Sequence, residues 1–128
     1  MEKKTIIIIV VVVALVIAVI GFSAYLDSKK SAKLTALAEC ITKSGAKFYG
    51  AFWCPHCQDQ KGLFQTLFSS ADKKLPYVEC STPDSNGQLQ VCQDIGIKVY
   101  PTWKFSDGTT HEGGMTLQEL ADKTKCQF

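Results

Sequence analysis

Cys54 and Cys57 are separated only by Pro55 and His56, a spacing at which two sulfurs can bond to each other or contribute half of a metal site. If Cys54 is the N-cap of a helix, Pro55 falls at the first helical position, where a missing N–H costs nothing, and Cys57 lies on the same side one turn on. A sulfur at the N-cap meets free backbone N–H groups and the positive end of the helix dipole, which favours thiolate over thiol, while Cys57 sits deeper. His56, protonated or donating, would favour the Cys54 thiolate further. Stabilising the reduced form in this way makes the disulfide the stronger oxidant. The chemistry expected of the motif is therefore thiol–disulfide exchange, with Cys54 attacked first and Cys57 the resolving thiol. Two alternatives stay open: a zinc site completed by His56, Cys80 or Cys92, although no second C-x-x-C or spaced histidine pair is present, and a short structural disulfide.

Such a dithiol needs a strand that delivers it to a helix. Residues 47–53 form a compact apolar and aromatic run, the pattern of a strand buried on both faces. Before it, Leu34, Leu37, Ala38 and Ile41 follow the spacing of a helix with one buried stripe, and Gly45 is a plausible stop. From Cys54 a second helix is expected to carry Leu63, Phe64, Leu67 and Phe68 on one face. Residues 76–80 read as a strand and 88–95 as a short helix. Two strands, 102–105 and 109–112, flank the turn at Ser106-Asp107-Gly108 and leave His111 exposed, with no role assigned. Thr116 and Glu119 form a capping box that opens the last helix. This order gives an α/β fold, a mixed sheet of about four strands with helices on both faces.

These residues resemble the thioredoxin superfamily over about residues 34–128. Tyr100-Pro101-Thr102 stands where that family has its cis-proline, so the resemblance implies a cis Tyr100–Pro101 peptide against the dithiol. It also implies Pro55 and Pro101 as members of the catalytic set with Cys54, His56 and Cys57, and Trp53 and Tyr100 as substrate-binding residues. Cys-Pro-His-Cys is similar to the periplasmic disulfide-donating oxidases, but Cys80 and Tyr100 are only twenty positions apart, too few for the helical insertion of those proteins. A nearer likeness is the thioredoxin-like domain fused to bacterial homologues of vitamin K epoxide reductase, carried by residues 48–61, 76–80 and 100–103. This chain lacks the fused quinone-binding bundle, so the expected partner is a separate membrane quinone reductase resembling vitamin K epoxide reductase. It also has no acidic residue in residues 47–53, unlike the thioredoxins that use a buried acid as a proton relay.

Four further cysteines, Cys40, Cys80, Cys92 and Cys126, allow three pairings. A Cys80–Cys92 bridge across the intervening turn-rich loop is the simplest, worth on the order of 3 kcal/mol. Pairing of Cys40 with Cys126 requires the first and last helices to meet at one edge of the sheet; if they lie on opposite faces the reach fails. Reduced, buried cysteines are the alternative for each. Two bridges beside a redox pair would account for all six cysteines and would require an oxidising compartment.

Ile6 opens a run of fifteen consecutive Ile, Val, Leu or Ala residues ending at Ile20. Extended to residues 5–26, this is roughly 33 Å of helix, enough to cross a bilayer of about 30 Å. The alternative is a cleaved signal peptide; the run is long for one. The expected organisation is a membrane anchor at 1–26, a polar link at 27–33 and a thioredoxin-like domain at 34–128. Lysines flank the span on both sides and do not orient it. The cysteines do, placing the catalytic domain outside the cytoplasm as a single-pass protein of the cell membrane. Its substrates would be cysteine-containing exported proteins. All 14 basic residues are lysines against 12 acidic ones, with no basic cluster, which leaves no footprint for nucleic acid. No metal or cofactor is expected. A reductase or isomerase using the same dithiol, and a non-catalytic metal-binding module, are the competing functions.

Overall fold

The computed structural model describes residues 2–128. Its first element, α1 (Lys3–Lys43), is a single helix of 41 residues, about 60 Å long. The amino-terminal part is long and apolar enough to span a membrane and buries nothing against the domain. The carboxy-terminal part buries Leu34, Leu37, Ala38 and Ile41, the stripe expected from their spacing. Residues 27–33, expected as a polar link, are helical. They contain neither Gly nor Pro and include three Lys and an Ala, all good helix formers, so a helix already nucleated on both sides runs through them. Ser44 caps α1 and Gly45, at φ +84°, turns the chain into the sheet.

Four strands follow: β1 (Lys47–Gly50), β2 (Tyr77–Glu79), β3 (Thr102–Lys104) and β4 (Thr110–Glu112). Their order is β2-β1-β3-β4, with β1 and β2 parallel and the other two pairings antiparallel. Between them lie α2 (Pro55–Gly62), α3 (Gln90–Asp94) and, after β4, α4 (Leu117–Thr124). The mixed four-stranded sheet with helices is the expected fold.

Phe48, pointing from β1, stacks on Trp103 of β3 with ring centroids 4.7 Å apart and meets Tyr77 of β2 edge-on at 5.2 Å. These rings join Phe64, the α1 stripe, and Leu120 and Ala121 of α4 in the main core. Tyr49 and Val78, on the alternate face of the pleat, pack with Cys80, Cys92 and Ile97 in a smaller cluster. Because α1 and α4 share the main core, Cys40 and Cys126 meet and are disulfide-bonded, with Cα atoms 6.0 Å apart. Cys80 is bonded to Cys92 across the loop between β2 and α3.

Several expected elements are shorter. β1 ends at Gly50 rather than at residue 53, and only Phe48 and Gly50 of its four residues are fully buried. The following residues form the turn that leads into α2, and Phe52 and Trp53 remain about half exposed. The helix expected to carry Leu63, Phe64, Leu67 and Phe68 ends at Gly62. Phe64 alone reaches the core, while Leu67 and Phe68 are 83% and 72% exposed. The chain leaves the helix because Thr66 and Ser69 close a turn of their own, the Thr66 N–H bonding to the Ser69 carbonyl at 2.9 Å, and Ser, Thr and Gly compete well with helix here.

Candidate active site

Cys54 is the N-cap of α2, in an extended conformation, with Pro55 in the first turn. Its sulfur accepts the Cys57 N–H at 3.3 Å, one of the donors that the helix start leaves free. The Cys54 thiol donates to the Tyr100 carbonyl at 3.7 Å, and the Tyr100–Pro101 peptide is cis. The structure thus brings Cys54, Pro55, Cys57, Tyr100 and Pro101 to one place. Both thiols are free and buried, Cys54 at 4% and Cys57 at 1% exposure. Cys54 is therefore not openly exposed, and a partner sulfur must approach it closely.

The two sulfurs have unequal surroundings. Burial, reinforced by the hydrogen bond with Cys54, pushes the Cys57 thiol up from 9.0 to about 12, against the opposing influence of the Ala51 backbone N–H and the Lys61 ammonium. Cys57 thus stays protonated at neutral pH and can supply a proton when Cys54 leaves as thiolate. Gly50 enforces this closeness: a Cβ there would lie 2.8 Å from the Cys57 sulfur and 3.0 Å from Tyr77 Cε2. The strand needs a glycine at that point.

His56 lies at the mouth of the site, with its Nδ1 3.8 Å from the Asp59 carboxylate and most of its side chain in solvent. Among the described residues no hydrogen bond joins it to either sulfur, so any action on Cys54 is through space. Trp53 is oriented from outside the motif. Its indole N–H donates to Ser81 Oγ at 2.8 Å, and its ring meets that of Tyr100 edge-on at 6.1 Å. Cys80 and Cys92, the thiols that could have completed a zinc set, are bonded to each other.

Three positioning residues were not foreseen from the sequence. Glu79 accepts the Ser81 N–H at 2.9 Å and the Phe52 N–H at 3.2 Å on one oxygen, and the Tyr77 hydroxyl at 2.8 Å on the other. It ties the turn before Cys54 to β2. Tyr77 lies under the Lys61 ammonium, 3.4 Å from its ring centroid; burial first, then the bond to Glu79, raises its phenol pKa. Gln60, 2% exposed, accepts the Met115 N–H at 2.6 Å and donates to the Met115 carbonyl at 2.9 Å, fastening α2 to the segment before α4. Gly50 is the third. The only sequence-level signals were a polar residue on the inner face of α2 and a glycine within an apolar strand.

Comparison with known proteins agrees with this geometry. The family described as Thioredoxin matches residues 36–125. The chain is 40% identical over 107 residues to the thiol-disulfide oxidoreductase LTO1 of Arabidopsis thaliana, covering 80% of this chain and 27% of that protein. It is 26% identical over 117 residues to the protein disulfide-isomerase erp38 of Neurospora crassa, covering 85% and 31%. With the protein disulfide-isomerase-like EhSep2 of Emiliania huxleyi it shares 27% identity over 90 residues, covering 64% and 40%. The chain thus spans less than half the length of each of these relatives.

Proposed function

Because the chain belongs to the thioredoxin family, we propose that it is a thiol–disulfide oxidoreductase, tethered to the membrane by α1, that donates disulfides to exported proteins. The observation that carries this reading is the Cys54 sulfur at the N-cap of α2, accepting the N–H of Cys57, whose own thiol is buried. A substrate thiolate attacks Cys54 of the oxidised pair and Cys57 leaves. A second substrate thiolate then attacks the substrate sulfur of the mixed disulfide and Cys54 departs. One substrate disulfide forms, its two electrons pass to Cys54 and Cys57, and the two protons that the substrate thiols shed on becoming thiolates are taken up again as the pair returns to the dithiol. Trp53 and Tyr100 flank the sulfur that receives the substrate, with His56 at the rim.

Two bridges away from the active pair suit an oxidising compartment, which supports an extracytoplasmic domain at the cell membrane. The dithiol must then be reoxidised, and the acceptor proposed is a membrane quinone reductase resembling vitamin K epoxide reductase. Tethering raises the effective concentration of the two partners much as a covalent fusion does. An isomerase function is the second reading, favoured by the names of two of the relatives.

The test follows Cys54 and Cys57 by thiol alkylation in cells with and without the candidate reductase. Oxidised thiols that become reduced on its loss are expected; a pair reduced in both would favour the reductase or isomerase. Cys57→Ala should accumulate mixed disulfides through Cys54, and stronger trapping by Cys54→Ala would overturn the assignment of the nucleophile.

A further inference from the structure

Leu67 and Phe68 are large apolar side chains at the tip of a tight hairpin, with the bridge Gln65–Ser70 at its base. They stand 83% and 72% exposed, while Phe64, from the same apolar cluster, is fully buried in the core. The hairpin is held by the helix that carries the span. Asp27 accepts the Thr66 hydroxyl at 3.0 Å on one carboxylate oxygen and the Leu67 N–H at 3.3 Å on the other. Asp27 directly follows Leu26, the last residue of the apolar segment. The hairpin backbone is therefore pinned to α1 at the height where the span ends.

We propose that Leu67 and Phe68 insert into the bilayer surface beside α1 and form a second, off-axis membrane contact that fixes the orientation of the domain. The proposal rests on the membrane-tethered reading of α1. Three observations combine in its favour. The hairpin that carries them is hydrogen-bonded to Asp27, at the level where the apolar segment ends and the hydrocarbon would give way to headgroups. Lys29, Lys30 and Lys33 follow on the exposed surface of α1, where ammonium groups meet lipid phosphates. Finally, α1 runs unbroken from the span into the core, so the domain has no flexible link on which to swing the hairpin away from the lipid. A single helix leaves rotation about its axis free; an apolar contact to one side of that axis removes it. The dithiol would then face a membrane acceptor in a set orientation rather than by random tumbling.

The experiment uses the full chain in phosphatidylcholine–phosphatidylglycerol vesicles, with or without lipid brominated high on the acyl chain. Tryptophan emission is recorded for the unmodified chain, for Phe68→Trp, and for Phe22→Trp within the span. Both positions are exposed, so the substitutions leave the core intact. The expected result is that the emission added by each variant is quenched by the brominated lipid, relative to the unmodified chain. Quenching in Phe22→Trp without quenching in Phe68→Trp leaves the tether standing and overturns the hairpin contact. Absence of quenching in both removes the tether and the proposal with it. Emission of Phe68→Trp that stays unquenched in lipid but shifts to the blue in native membranes identifies a protein surface as the occupant, which also overturns the proposal.

Discussion

At Cys57 the proton is held by burial and by its bond with Cys54, and the consequence is a stability that depends on both pH and redox state. The unfolded chain loses this proton near the ordinary 9.0, the folded one only near 12. Its contribution is complete below the first value and is lost as pH rises toward the second. The disulfide form has no such proton. Urea unfolding at about pH 8 and about pH 10.5 should therefore show the reduced protein losing on the order of 1–2 kcal/mol relative to the oxidised one; parallel curves would mean that Cys57 is not held as a thiol. Gly50 gives a second prediction at this scale. Gly50→Ala pushes a methyl group into the Cys57 sulfur, and overpacking of this kind costs about 1–3 kcal/mol. Denaturant unfolding checks the stability, and the rate of exchange with a model dithiol should fall with it, since the displaced sulfur is the one proposed to leave and return in exchange.

Among the elements, α2 carries the dithiol but is only eight residues long, too short to hold its place without tertiary contacts. Gln60 supplies two of them, to the Met115 N–H and carbonyl. Replacing it with Leu leaves both Met115 backbone groups buried without partners, at an expected cost of about 2–4 kcal/mol. Hydrogen exchange should show the Met115 amide losing protection first; unchanged protection there would show that the amide pair does not hold α2. At the other end, α4 is self-sufficient at its start, where Thr116 and Glu119 cap each other, as their spacing predicted. It ends with Lys125 at φ +58°, a turn that brings Cys126 back toward α1. The long helix reads differently. Its apolar and amphipathic halves were each legible, and the polar residues between them, expected as a link, continue the helix, because charge alone does not break one.

Over the whole molecule, the two bridges close loops of very different length, 86 residues apart for Cys40–Cys126 and 12 for Cys80–Cys92. Loop-closure entropy makes the first worth roughly 4–5 kcal/mol and the second roughly 3. Replacing both members of each pair by Ser should therefore lower the denaturation midpoint more for Cys40 and Cys126, and the reverse order would show that the short bridge acts through native packing. What the sequence determined by itself about this protein was local and periodic. It comprised the dithiol at a strand-to-helix junction, the buried stripe of Leu34, Leu37, Ala38 and Ile41, the cap at Thr116, the hairpin before it and the apolar span, because each depends on residues within a few turns of one another. Only the tertiary structure decided what depends on distant partners. It joined Cys40 to Cys126 by bringing α1 and α4 into one core, set Glu79 and Gln60 against the turn and helix of the dithiol, and left Leu67 and Phe68 outside. Their spacing from Leu63 and Phe64 matched a buried helix face, but Asp27, 40 residues away from Leu67, offered the hairpin backbone a carboxylate instead.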